Sequence, residues 1–227
     1  MKYILTILFV SSILIAQSGG ELKAQNIADD IIKLYIAGDY QKVIEIIKSK
    51  NPDELTATEW FYLGLSYSQI KSIKEAVNAF EHCVKLDSAN TGYRLNYSRV
   101  LSQMGRTGDA VNSYNAIIEK DSSNIAALYD LGLIYINRKD FMSARPMFEK
   151  LSDYNQTDFL SAYYLALSSY HTSVTHDDTL KVNDLIFRAK LLNFEYMPTF
   201  ELSGAYELNR NNFERAYFDY SLLSYNM

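Results

Sequence analysis

A small side chain returns at near-constant intervals along this chain. Val43, Ala76, Ala110, Ala144, Val182 and Ala216 follow one another at steps of 33, 34, 34, 38 and 34 residues. A period in this range marks a series of supersecondary units, none of which buries its apolar stripe alone, so that neighbours must stack into one continuous core. Between the markers the apolar residues recur at helical spacings of three and four, not in alternation, which makes each unit a pair of helices. Composition agrees: 48% of the 227 residues are hydrophobic, while Gly (9) and Pro (3) are too few for a turn-rich β architecture. The reading is an all-α solenoid.

The clearest unit runs from residue 57 to 90. Trp60, Leu63, Gly64 and Tyr67 form one stripe of a first helix, and Ala76, Phe80 and Cys83 form the stripe of a second, with Ile70-Lys71-Ser72 turning between them. Gly64 has no side chain, so the second helix is expected to approach closely there. The pattern Trp-x2-Leu-Gly-x2-Tyr followed by Ala-x3-Phe-x2-small resembles the tetratricopeptide repeat, with Ser88 in place of the usual helix-ending Pro. Residues 125–158 match nearly as well through Leu128, Leu131, Gly132, Tyr135, Ala144, Phe148 and Leu151. Residues 91–124 keep the second helix (Gly105, Ala110, Tyr114, Ile117) but carry Tyr97-Ser98 where Leu-Gly is usual. The flanking units, 24–56, 159–196 and 197–227, are weaker and take their register from these. The resemblance implies a right-handed superhelix of about five to six helix pairs, forming a single domain over residues 25–227.

Three departures carry expectations of their own. The 38-residue step implies about four extra residues in a loop at 171–179. Pro146 falls inside a second helix, where it removes one backbone hydrogen bond and should bend the helix, whereas Pro198 suits a helix start. The chain stops within its last repeat, so Tyr217, Phe218, Leu222 and Leu223 are expected to lack a covering helix and to offer a surface for self-association.

The N-terminus reads Met1-Lys2 and then an apolar run to Ala16, too short to span a bilayer. It is read as a cleaved signal peptide over residues 1–24, with Ser18 as the other candidate cleavage point, against the alternatives of an uncleaved anchor or a buried first helix. The expected location is therefore outside the cytoplasm, in the periplasm or cell envelope or secreted, with no stable membrane span after cleavage. No Cys lies near the leader to carry a lipid. The single Cys83 forbids an intrachain disulfide and falls at an inward position, as a buried thiol. A net charge of −5 disfavours nucleic acid as a partner.

Little here points to catalysis. His82 and Cys83 are adjacent on a helix and diverge by about 100°, so they do not pair as base and nucleophile. His171, His176, Asp177 and Asp178 are the one grouping with metal-ligand chemistry, but their spacing fits no standard template, and neither metal nor cofactor is expected. No phosphate loop, CxxC, HExxH or GxSxG occurs. The resemblance implies instead that the first helices line a concave groove. The non-signature positions there are Phe61 and Leu65; Leu95, Asn96 and Arg99; Tyr129 and Leu133; and Tyr163, Leu167 and Tyr170. Chaperone-binding members of the family clamp a peptide carboxylate with Lys, Asn and Arg, whereas here only Asn96 and Arg99 suit an anion. The groove is aromatic, and it fits a peptide or protein partner with hydrophobic anchors. Simple packing between helices is the competing account of the same residues, and a glycan stacked on the tyrosines is a second ligand class.

Overall fold

The computed structural model of the protein describes residues 28–173 and 175–224. The segment read as a signal peptide lies outside this range. Among the described residues every element is a helix, and the helices come in pairs: α1 (described over 28–36) with α2 (Tyr40–Lys48), α3 (Ala57–Gln69) with α4 (Ile73–Leu86), α5 (Thr91–Gln103) with α6 (Thr107–Lys120), α7 (Ile125–Asn137) with α8 (Phe141–Tyr154), α9 (Phe159–Thr172) with α10 (His176–Leu192), and α11 (Met197–Asn209) with α12 (Phe213–Ser224). A short 3-10 turn, Pro52–Glu54, precedes α3. Two compact units can be told apart, one ending at Ala110 and one beginning at Val111.

Local chemistry repeats with the same period as the core. The first helices α3, α5, α7 and α9 start behind Thr56, Asn90, Asn124 and Asp158, and each of these side chains accepts a hydrogen bond from the third backbone N–H of its helix. That satisfies one of the donors a helix start leaves orphaned. Upstream of four first helices, Asp87, Asp121, Asn155 and Asn193 each accept a hydrogen bond from the N–H two residues on, at 3.1–3.2 Å. These short turns end one pair and open the next. Within pairs, the turn passes through a left-handed residue at Gly38, Lys71, Gly105, Lys139 and Asn211.

The six periodic small positions are all buried, each with 1% exposure or less. In the first unit Val43, Ile44 and Ile47 of α2 join Leu55, Leu63 and Ala79 around Ile31. In the second unit one cluster gathers Leu128, Ala144, Phe148, Leu151 and Leu165, and another Ala166, Val182, Ile186, Leu202 and Tyr206. At three first-helix glycines an opposing ring leaves no room for a side chain, as expected at Gly64. A Cβ on Gly64 would lie 2.9 Å from the Phe80 ring, one on Gly132 2.8 Å from Phe148, and one on Gly204 2.7 Å from Tyr220.

One expectation needs correction. The extra residues of the fifth pair do not form a loop from 171 to 179: α9 continues to Thr172 and α10 begins at His176, capped by a reciprocal Thr175–Asp178 box. α10 has 17 residues where α4, α6 and α8 have 14, so much of the insertion is absorbed as helix. Pro146 lies inside α8, which runs from Phe141 to Tyr154, and its ring is exposed. At the end of the second unit, a buried carboxylate ties three helices together. Asp219 of α12 pairs with Lys190 of α10 at 2.7 Å and accepts from Ser203 of α11 at 2.7 Å.

Candidate functional site

The residues read as groove positions all lie on first helices. In the first unit Phe61 is half-buried, its ring 5.9 Å from Phe80 on α4 and 4.9 Å from Tyr93 on α5. Leu65 and Leu95 are half-buried as well. Asn96 turns its amide back to the Gly92 carbonyl of its own helix at 2.9 Å, while Arg99 is exposed.

In the second unit the aromatics form a connected array. Tyr129 of α7 sits 6.2 Å from Phe148 and 6.4 Å from Tyr164 of α9. Tyr163 contacts Tyr164 at 5.2 Å and Tyr196, just before α11, at 5.1 Å; Tyr196 in turn meets Phe159 at 5.4 Å. Most of these pairs meet edge to face, the arrangement the ring quadrupole favours. Leu133 and Leu167 lie beside them against the core clusters, and Tyr170 packs at 6.5 Å from Tyr206.

These side chains thus serve two ends at once. Their inner edges pack between consecutive helices, while the rest stays open to solvent. Tyr129, Tyr163, Tyr164 and Tyr196 make no hydrogen bond through their hydroxyls among the described residues. Burial, reinforced by the neighbouring phenols, pushes Tyr163 up to about 12 and raises Tyr129 and Tyr164 as well. At neutral pH Tyr129, Tyr163 and Tyr164 are therefore uncharged phenols, each able to donate or accept. Tyr170 differs, because its hydroxyl accepts a hydrogen bond from the Asn209 side chain.

Tyr196 was not read as a groove residue. It sits at a helix start, and only the fold brings its ring to Tyr163. The histidines also have roles the sequence did not reveal. His82 stacks flat on Trp60 at 4.4 Å, and His171 on Phe141 at 4.0 Å. Burial lowers the His171 pKa, with Lys139 adding to the effect. Asp178 is spent on capping α10, and the side chains of His176 and Asp177 lie outside the described residues. No cluster of potential metal ligands occurs among the described residues. Cys83 is buried, and burial pushes its thiol up to about 12, far from the range of a reactive thiolate. No described helix is long and apolar enough to cross a membrane.

On α12, Tyr217 is 78% and Phe218 61% exposed, while Leu222 and Leu223 are half-buried. Phe213, at the start of the same helix, is also exposed.

Comparison with known proteins places this architecture. Residues 49–158, a little under half of the chain, match the family model described as the cytochrome c-type biogenesis protein H TPR domain. Tetratricopeptide repeat protein 1 of Schizosaccharomyces pombe is 25% identical over 172 residues, covering 74% of this chain but only 16% of its own length. Among solved structures, a tetratricopeptide repeat protein from Parabacteroides merdae aligns with a TM-score of 0.67 at 17% identity, over 86% of this chain and 76% of that one. MamA from Desulfovibrio magneticus aligns with a TM-score of 0.66 at 15% identity, over 74% and 93%. With the repeat signature of Trp60–Cys83, the helix pairs and the glycine–aromatic contacts in hand, the chain has the tetratricopeptide repeat fold, and its residues 49–158 are similar to a TPR domain family.

Proposed function

We propose that the protein is a non-catalytic interaction scaffold, and that it binds a peptide or protein segment with hydrophobic anchors on the first-helix face of α7 and α9. The carrying observation is the half-buried array of Tyr129, Tyr163, Tyr164 and Tyr196, whose hydroxyls have no partner among the described residues. Such rings supply rigid apolar area at small entropic cost and keep a polar handle for the ligand backbone. Leu133, Leu167 and Tyr170 extend the same face. Phe61, Leu65, Leu95, Asn96 and Arg99 make the corresponding surface of the first unit. The absence of catalysis is supported by the state of the reactive side chains: the two described imidazoles stack on rings, and the thiol is buried.

Panning a displayed random-peptide library against the protein and against Tyr129→Ala/Leu133→Ala tests this. Peptides rich in aromatic and aliphatic anchors should be enriched by the first and lost with the second, with both proteins matched by helical circular dichroism. Equal recovery from both baits would remove the α7–α9 face from the account. The cell envelope is the proposed setting, and it rests on the leader-like sequence of residues 1–24. Detection of the full-length chain in the cytosolic fraction alone would refute it.

A second reading is favoured by the exposed Phe213, Tyr217 and Phe218 on α12: the last helix pair joins a second copy of the chain. Sedimentation velocity over a wide concentration range is expected to show reversible growth in mass that Tyr217→Ser/Phe218→Ser abolishes. A monomer at every concentration would end this reading.

A further inference from the structure

A cavity of about 430 Å3 opens in the first unit between α2, the Pro52–Glu54 turn and the α3–α4 pair. Its size falls within the range of small-molecule sites. Ile47, Leu55, Leu63 and Ala79 give it apolar walls, together with the indole of Trp60. That indole is held by His82, stacked on it at 4.4 Å, so the wall exists before any ligand arrives.

The polar lining is unevenly provided for. Lys50 is already committed to an ion pair with Glu59. Lys48 and Lys74 make no ion pair or hydrogen bond with any described residue, and neither do the Tyr67 hydroxyl or the Trp60 indole N–H. All four groups can donate, and two of them carry positive charge. Against them stands one lining carboxylate without a partner, Glu75. Both lysines are exposed, so they sit at the solvent side of an apolar chamber. In a chain whose net charge is −5, this is a local excess of cationic donors over an oily interior.

We propose that this cavity binds a small amphipathic acid, an aliphatic or aromatic body ending in a single carboxylate. The body lies against Trp60, Leu63 and Ile47, and the carboxylate meets Lys48 and Lys74. A hydrophobic body alone would leave the ammonium groups unused, and a cation would be repelled by them. The site is independent of the tyrosine array on α7 and α9.

Trp60 is the only tryptophan in the chain, so its emission reports on this cavity alone. Decanoate, kept below its aggregation concentration, is titrated into the purified protein, with decanol and decyltrimethylammonium as matched probes. The expected result is a saturable change in Trp60 emission with decanoate, at least about tenfold weaker binding of decanol, and still weaker binding of the cation. Lys48→Glu/Lys74→Glu, two exposed changes that leave the helical circular dichroism intact, should weaken decanoate by at least about tenfold. The proposal is overturned by the lack of any saturable change, by decanol binding as tightly as decanoate, or by a double variant that binds decanoate as well as the parent does.

Discussion

At Gly64 and Gly132 the ring facing the missing side chain, Phe80 or Phe148, is buried and has nowhere to move. Alanine at either position should lower stability by about 1–3 kcal/mol despite its better helix propensity, because overpacking outweighs the gain. At Gly204 the opposing Tyr220 ring is 37% exposed and can swing outward. There the same change should be near neutral. Urea denaturation of the three variants checks the contrast, and equal losses at all three sites would refute it. Glu59 gives a second test at this scale. Burial pushes its pKa up, but Lys50 and the Thr56 cap outweigh it and hold the carboxyl below its ordinary 4.5. A depressed carboxyl stabilises the fold above its unfolded pKa, and that contribution is lost as the pH falls through the folded value. Glu59→Gln should therefore cost about 1–3 kcal/mol at pH 7. Its gap from the parent should narrow steadily as the pH drops below 4.5.

At the scale of the helix, the pairs and their phase were legible because burial imposes a period that survives substitution: Val43 and Val182 stand where others have Ala, and all six positions are buried. The caps were legible too, as Thr56, Asn90, Asn124 and Asp158 at a constant step of 34, yet they escape a reading tuned to apolar residues. The fifth pair could not be read correctly. Its extra residues look like a polar loop, and only the Thr175–Asp178 box, a local hydrogen-bonding choice, makes a helix start of them. Pro146 is a related case. The ring faces solvent, so the cost is the absent N–H and crowding of the Met142 carbonyl one turn back, without a clash with the core. Pro146→Ala should stabilise the protein by about 1–3 kcal/mol, read as a rise in melting temperature. An unchanged or lower melting point would show that the proline sets a bend the packing needs.

For the molecule as a whole, the candidate surface was only partly readable. Every predicted groove residue lies on a first helix, but sequence register cannot separate a ring that packs from a ring that waits for a ligand. Tyr129 and Tyr163 do both, and Tyr196 joins them from a turn. In the proposed function the α7–α9 face is where a partner is held. Hydrogen exchange read by mass spectrometry tests that most directly, using the peptide recovered from the library selection. Protection on binding is expected to concentrate in α7 and α9 and around Tyr196. Protection confined to α8 and α10, or no difference in the second unit while the peptide is bound, would contradict it.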